Sequence, residues 1–334
     1  MKILLVGLGS IGRRHIKNLS ALGVRQLAAV TQHRCQLPAD DLPPHLTFES
    51  MESGLEWRPD AVFVCNPTAL HLQTALEAAR AGCHVFLEKP VSHTLEGLDE
   101  LTALVERKGL KAQVGFQFRY HGVFRQIKQA LAAGQIGKVV SAHAHWGEYL
   151  PGWHPWEDYR HSYSAREDLG GGVVLTLCHP FDYLRWLLDE AEVVVAVGGQ
   201  LSDLETDTED VALVSLRFEN GAIGSVYLDY VSKPAKHTLQ IIGTRGRIEW
   251  DADLGAAKVY FNSSDECGLG FKTISPGKFF ERNEMFLVEV ADFLDCIKND
   301  RRPACDLGDG IRALEMALAA KNMLEKTPTE FVVL

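Results

Sequence analysis

Lys2-Ile3-Leu4-Leu5-Val6-Gly7-Leu8-Gly9-Ser10-Ile11-Gly12 is an apolar run that breaks into three glycines spaced G-x-G-x-x-G. It reads as strand, tight turn and helix start. Each glycine meets a separate demand of a bound dinucleotide: Gly7 permits the sharp turn, Gly9 lets backbone N–H groups approach a pyrophosphate, and Gly12 lets the helix pack on its strand. Ser10 and Ile11 open that helix, whose positive end faces the phosphates. The motif by itself is a weak signal, and its setting carries the reading. Ile11 to Leu22 has helical periodicity, Gly23 fits a helix stop, and a second apolar run, Gln26 to Thr31, follows.

Such a fold usually places an acidic residue on the adenosine ribose about 20 residues beyond the last glycine. Here that position is Gln32, followed by His33 and Arg34. A missing carboxylate with an arginine nearby can accept a 2′-phosphate, so the expected cofactor is NADP or NAD, with NADP slightly favoured.

Outward from this unit, Pro38, Pro43 and Pro44 mark an irregular loop, and Ala61 to Cys65 is a buried-type strand. Asn66-Pro67-Thr68 caps a helix from Ala69 to Ala81. The strand His84 to Leu87, the tripeptide Glu88-Lys89-Pro90, a helix from about Thr94 to Lys108 and the strand Ala112 to Phe116 complete the pattern. Strands alternating with helices give a parallel, doubly wound sheet. Beyond His121 the rhythm changes. A helix, Val123 to Ala133, precedes strands at Val139–Trp146, Val193–Gly199, Val211–Phe218, Ile223–Tyr230, His237–Gly243, Gly246–Trp250 and Ala257–Phe261. Hairpin turns at Glu219 to Ala222 and Gly243 to Gly246 make this an open, largely antiparallel sheet. Helices Asn283–Lys298 and Gly310–Lys326 follow, with Phe331-Val332-Val333 as a closing strand. The expected division is a nucleotide-binding domain over residues 1–121 and an α+β domain over 122–334.

With 334 residues the chain can hold two cores. A formal net charge of −10 argues against nucleic acid as a partner. The first apolar segment is too short to span a bilayer and runs into Arg13, Arg14 and His15, so neither a signal peptide nor a membrane anchor is expected. Cys35, Cys65, Cys83, Cys178, Cys267, Cys296 and Cys305 form no CxxC pair, which fits reduced thiols in the cytoplasm and no metal site.

VGLGSIGRRH at the start, CNPTALH followed by FLEKPVS, and GGGVVLTLCHPFDYLRWLL in the second half together resemble the glucose–fructose oxidoreductase/inositol dehydrogenase family, Gfo/Idh/MocA. The resemblance covers nearly the whole length. It implies an N-terminal Rossmann domain, a C-terminal open sheet used for oligomer contacts (a dimer or tetramer), and NAD(P)-dependent hydride transfer on a sugar, cyclitol or nucleotide sugar. It implies that Lys89 contacts the reacting oxygen. Lys89 stands at the C-terminal end of a central strand, where α/β sheets bind ligands, and Pro90 holds its backbone extended. Its ammonium can stabilise charge on a substrate oxygen. His179 is the candidate acid/base, since an imidazole near its reference pKa of about 6.5 exchanges protons at working pH. Asp182, one helical turn on, is expected to orient the ring.

On the cofactor side we place Gly7, Gly9, Ser10, Ile11, Gly12, Gln32, Arg34, Asn66, Pro67, Thr68, His71, Glu88 and Lys89. On the substrate side we place Lys89, Gln117, Arg119, Tyr149, Trp153, Tyr159, Arg160, Thr176 and His179. The aromatic and basic loop from Glu148 to Asp168 reads as a lid for an acidic or nucleotide-linked sugar, or equally as an oligomer interface. The chain departs from the family at one point: many members carry an aspartate four residues before this histidine, and here that residue is Leu175. Pro180 also removes the helical hydrogen bond to the Thr176 carbonyl and bends the helix. The missing aspartate motivates a second reading, a cofactor-binding regulator with weakened catalysis, and a NAD-assisted hydrolase or epimerase on the same fold is a further alternative.

Overall fold

Ile3, Leu4 and Leu5 have no exposed surface, as befits a strand covered by helices on both faces. In the computed structural model, which describes residues 1–31, 42–262, 269–276 and 281–326, they belong to β1 (Lys2–Val6). The chain continues through α1 (Ser10–Ala21), β2 (Gln26–Val30), β3 (Leu46–Phe48), α2 (Met51–Glu56), β4 (Ala61–Val64), α3 (His71–Arg80), β5 (His84–Leu87), α4 (Leu98–Arg107) and β6 (Ala112–Val114). The six strands form one parallel sheet in the order β3-β2-β1-β4-β5-β6, the doubly wound arrangement. The short β3 and α2 were not legible in the sequence. α4 starts later than the periodicity indicates because Gly97, at φ +83°, turns the backbone immediately before it.

The second half contains α5 (Gly122–Ala132), β7 (Val139–Gly147), α6 (Val173–Thr176), α7 (His179–Leu188), β8 (Ala191–Gly199), β9 (Val211–Phe218), β10 (Ile223–Asp229), β11 (Lys236–Gly243), β12 (Gly246–Asp251), β13 (Ala256–Asn262), β14 (Leu269–Ile274), α8 (Asn283–Lys298) and α9 (Leu307–Lys326). Its eight strands run β14-β13-β12-β11-β7-β10-β9-β8, antiparallel except where β10 meets β7. One register row crosses all eight: Ala196, Val214, Val226, Ala144, Leu239, Trp250, Ala257 and Ile274. Every member is buried, so a strand slipped by one residue would turn its apolar side outward. β14 was not anticipated, and the proposed closing strand Phe331-Val332-Val333 lies outside the described residues, as do Gln32, His33, Arg34, Cys35 and Cys267.

The chain then returns to its beginning. Val290 and Phe293 of α8 join Ile3, Leu5, Phe63 and Phe86 in one core, with the Phe293 ring edge-on to Phe63 and Phe86 at 5.6 and 5.5 Å. Burying Phe293 contributes about 1.5–3 kcal/mol. The opposite face of the sheet shares a continuous core with the eight-stranded sheet.

Candidate active site

The glycine turn closes on itself as its spacing requires. Gly7 has φ +96°, and a Cβ there would lie 2.7 Å from the Cys65 carbonyl oxygen; one on Gly12 would lie 2.0 Å from the Gly7 oxygen. A Cβ on Gly9 would meet nothing within 4 Å. No side chain caps α1, and no acidic residue occupies its first turn. Its leading N–H groups, Ser10 and Ile11 among them, therefore face outward beside an open surface, which fits a pyrophosphate. At the neighbouring strand end, Asn66 donates from Nδ2 to Thr74 at 2.9 Å, while its Oδ1 is buried without a partner. Pro67 precedes the single 3-10 turn Thr68–Leu70. Gly9→Ala should leave folding intact, because the methyl has room, and should weaken dinucleotide binding where the pyrophosphate approaches. Calorimetry checks both, and unchanged affinity would remove the cradle.

His71 and Glu88 are each bonded within the protein. The two ring nitrogens of His71 lie 2.8 and 2.9 Å from the carbonyl oxygens of Pro90 and Asn66, bracing two loops together. Burial lowers its pKa and outweighs those carbonyls. Glu88 Oε1 is 2.6 Å from Nε2 of His15, a fully buried residue of α1. Burial works against the Glu88 charge, but the His15 hydrogen bond, with the charges of His15, Lys89 and His71, holds the carboxyl below its ordinary range. His15 thus ties the phosphate-binding helix to the Glu-Lys-Pro loop. Nothing local marks it, because its partner is 73 residues away.

Lys89 is half-buried, and its Nζ donates to the Thr176 carbonyl at 2.6 Å. Burial disfavours its charge, yet Tyr163, Cys178, Glu88 and Glu148 raise its pKa above the ordinary lysine value. It is a cation at any working pH.

His179 is 2% exposed. Its ring stacks on Trp146 at 5.1 Å and lies edge-on to Phe116 and Phe118; Trp146 in turn donates to Glu148 at 2.7 Å. Gln117 Nε2 lies 3.4 Å from His179 Nε2, and Nδ1 is buried without a partner. Burial first, then Lys89, His237 and Arg282, push its pKa well below 6.5. The expected titration near neutrality is therefore corrected: the ring is neutral at working pH because the charged form would lose its hydration beside a lysine.

Two family models match the chain, one described as an oxidoreductase family with an NAD-binding Rossmann fold over residues 1–116, the other as the GFO/IDH/MocA C-terminal domain over residues 124–249. The chain belongs to the Gfo/Idh/MocA family. It is similar to myo-inositol 2-dehydrogenase of Thermotoga maritima, at 29% identity over 98% of this chain and 97% of that one. It is also similar to scyllo-inositol 2-dehydrogenase (NAD(+)) of Bacillus subtilis, at 28% identity with 95% and 92% covered. Among solved structures, levoglucosan dehydrogenase in complex with NADH and levoglucosan shares the fold, with a TM-score of 0.85, 22% identity and coverage of 98% and 97%. The chain is thus an oxidoreductase with a nicotinamide-binding Rossmann domain.

Within this Gfo/Idh/MocA site, several expected neighbours are engaged elsewhere. Asp182 does not orient His179. It takes a bidentate contact from Arg119 at 3.0 and 2.6 Å, and Arg119 also donates to Asp309 and the Ala304 carbonyl at 2.9 Å. Arg119 is 5% exposed, so its fork holds the domain together; removing one partner of such a buried pair costs about 3–5 kcal/mol. In the loop, exposed Arg160 pairs with Asp158 and Glu205, and Arg166 with Asp168. Tyr159 accepts the Glu205 N–H at 3.0 Å, Lys233 sits over the Tyr149 ring at 3.2 Å, and Trp153 packs on Tyr230 with its Nε1 buried and unpartnered. The structure therefore brings Lys89, Thr176, Gln117 and His179 together and keeps Arg119 and Arg160 on other carboxylates. Among the described residues, no group of three or more His, Cys, Asp or Glu could hold a metal ion, and no helix is long and apolar enough to cross a membrane.

Proposed function

We propose that this protein is a NAD(P)-dependent dehydrogenase or reductase acting on a CH–OH carbon of a neutral sugar or cyclitol. The observation that carries this is a half-buried lysine ammonium beside a buried, neutral histidine at the C-terminal edge of a nucleotide-binding sheet. A bound nicotinamide supplies the hydride acceptor or donor. Lys89 binds the substrate oxygen and stabilises the charge that develops on it. His179 exchanges the hydroxyl proton at Nδ1, the nitrogen with no partner of its own, while Trp146 and Gln117 hold the ring. The inositol dehydrogenases named above support a polyol substrate. Arg160 and Arg166 each pair with a carboxylate of this chain, so the reading commits to a neutral substrate, with the acidic and nucleotide-linked sugars as its alternatives.

A cofactor-reduction screen against sugars, inositols, uronic acids and nucleotide sugars tests the reading. A neutral polyol should reduce the cofactor, and turnover with none in either direction would overturn it. Arg34 supports NADP over NAD. Arg34→Ala should raise the dissociation constant for NADPH more than that for NADH, and equal effects would return Arg34 to the ordinary surface. Exposed Val195, Val197, Leu213 and Ile223 on the eight-stranded sheet support a homo-oligomer, which light scattering reads directly. Cys65, Cys83, Cys178, Cys296 and Cys305 are all buried and unpaired, which supports a cytoplasmic setting.

A further inference from the structure

In a continuous helix the N–H of residue 180 would donate to the carbonyl of residue 176. Residue 180 is proline and has no N–H to give. The backbone follows this: α6 stops at Thr176, Leu177 leaves the helix at φ −99° and ψ 33°, and α7 restarts at His179 with the proline in its first turn. Three nearby donors bond locally, Thr176 N to the Gly172 carbonyl, Leu177 N to that of Val173 and Phe181 N to that of Cys178. The Thr176 carbonyl, deprived of its helical donor, accepts Lys89 Nζ at 2.6 Å from 87 residues away.

We propose that Pro180 is a positioning residue: by withholding an N–H from the Thr176 carbonyl, it reserves that oxygen for Lys89 and fixes the ammonium. The inference rests on the role proposed for Lys89, not on the identity of the substrate. A carbonyl suits the task because it orients the cation without adding a formal charge. Glu88 and Glu148 are the charged groups acting on Lys89 here, with Tyr163 and Cys178 beside them. Restoring an N–H at position 180 would place a competing donor on the Thr176 oxygen. Lys89 would then lose its acceptor, and its free-amine fraction would rise.

Trace labelling with acetic anhydride over a pH series reads this without any turnover. Mass spectrometry quantifies Lys89 against exposed Lys298 in the wild type, in Pro180→Ala, and in Pro180→lactic acid introduced by a suppressor tRNA. The last has the shape of alanine with an ester oxygen in place of the N–H. Pro180→Ala should raise Lys89 labelling at pH 8 by about tenfold, the rise expected if the amine titrates one pH unit lower. Pro180→lactic acid should label like the wild type. A folded Pro180→Ala that labels like the wild type overturns the proposal. So does an equal rise in both variants, which would trace the effect to the lost ring. If Pro180→Ala does not fold, the lactic acid variant decides: wild-type labelling supports the assignment and raised labelling sinks it. Because labelling needs no substrate, its outcome is separate from whether Lys89→Ala abolishes turnover.

Discussion

Lys89→Met should lower turnover by about 100-fold or more while cofactor affinity stays within a few-fold of the wild type. The expectation follows from where the ammonium sits. It is half-buried, held at 2.6 Å by a carbonyl, and kept charged by Tyr163, Cys178, Glu88 and Glu148 against the cost of burial. Loss of a preorganised donor to a developing oxyanion typically costs 100- to 1,000-fold in turnover, about 2.7–4 kcal/mol of barrier. Methionine keeps the length and most of the packing of the side chain, so the change isolates the charge. Lys89 stands on the cofactor side of the expected site as well, but it belongs neither to the glycine turn nor to the first turn of α1 that would hold the pyrophosphate, which is why most of the binding should persist. Single-turnover kinetics with the substrate from the screen, together with nucleotide titration, provide the measurement. A Lys89→Met enzyme within tenfold of wild-type turnover would show that the reacting oxygen lies elsewhere.

His179→Gln should cost about 100- to 10,000-fold, the usual range for a positioned acid/base. It should do so without removing any titration centred near pH 6.5. Burial, Lys89, His237 and Arg282 all oppose the imidazolium, so the neutral ring persists well into acid and the wild-type profile should be level through neutrality. A wild-type titration near 6.5 that vanishes in His179→Gln would contradict the buried, neutral ring. Stability carries the same signature. The unfolded histidine binds its proton near 6.5 and the folded one only at lower pH, so between those values the unfolded chain holds more protons and stability falls as pH falls. His179→Gln should therefore lose less stability between pH 7 and pH 5 than the wild type, as followed by denaturant unfolding. His237 and His121 are displaced downward too, His121 to about 4, both with burial as the leading cause, so the slope will shrink without vanishing.

The sequence by itself determined what depends on residues close together in the chain. The apolar run from Lys2 to Val6 and the glycines that follow it specify strand, turn and helix because each glycine answers a steric demand within a few residues. Alternating strands and helices gave the doubly wound sheet, and the placement of Lys89 at a strand end followed from the same pattern. Pro180 was legible as a helix break because the missing N–H is a property of one residue. The tertiary structure alone decided which side chains meet. His15 reaches Glu88 across 73 positions, Arg119 takes Asp182 from 63 positions away, and Lys89 takes the carbonyl that Pro180 released from 87 positions away. Asp182 read as a partner for His179 because it lies one turn along the same helix, but a buried guanidinium from another element offers a bidentate contact that an imidazole cannot match. The charge state of His179 was likewise decided by Trp146, Phe116, Phe118 and Lys89 closing around it. A pKa is set by the surroundings that folding assembles, and local spacing carries no record of them.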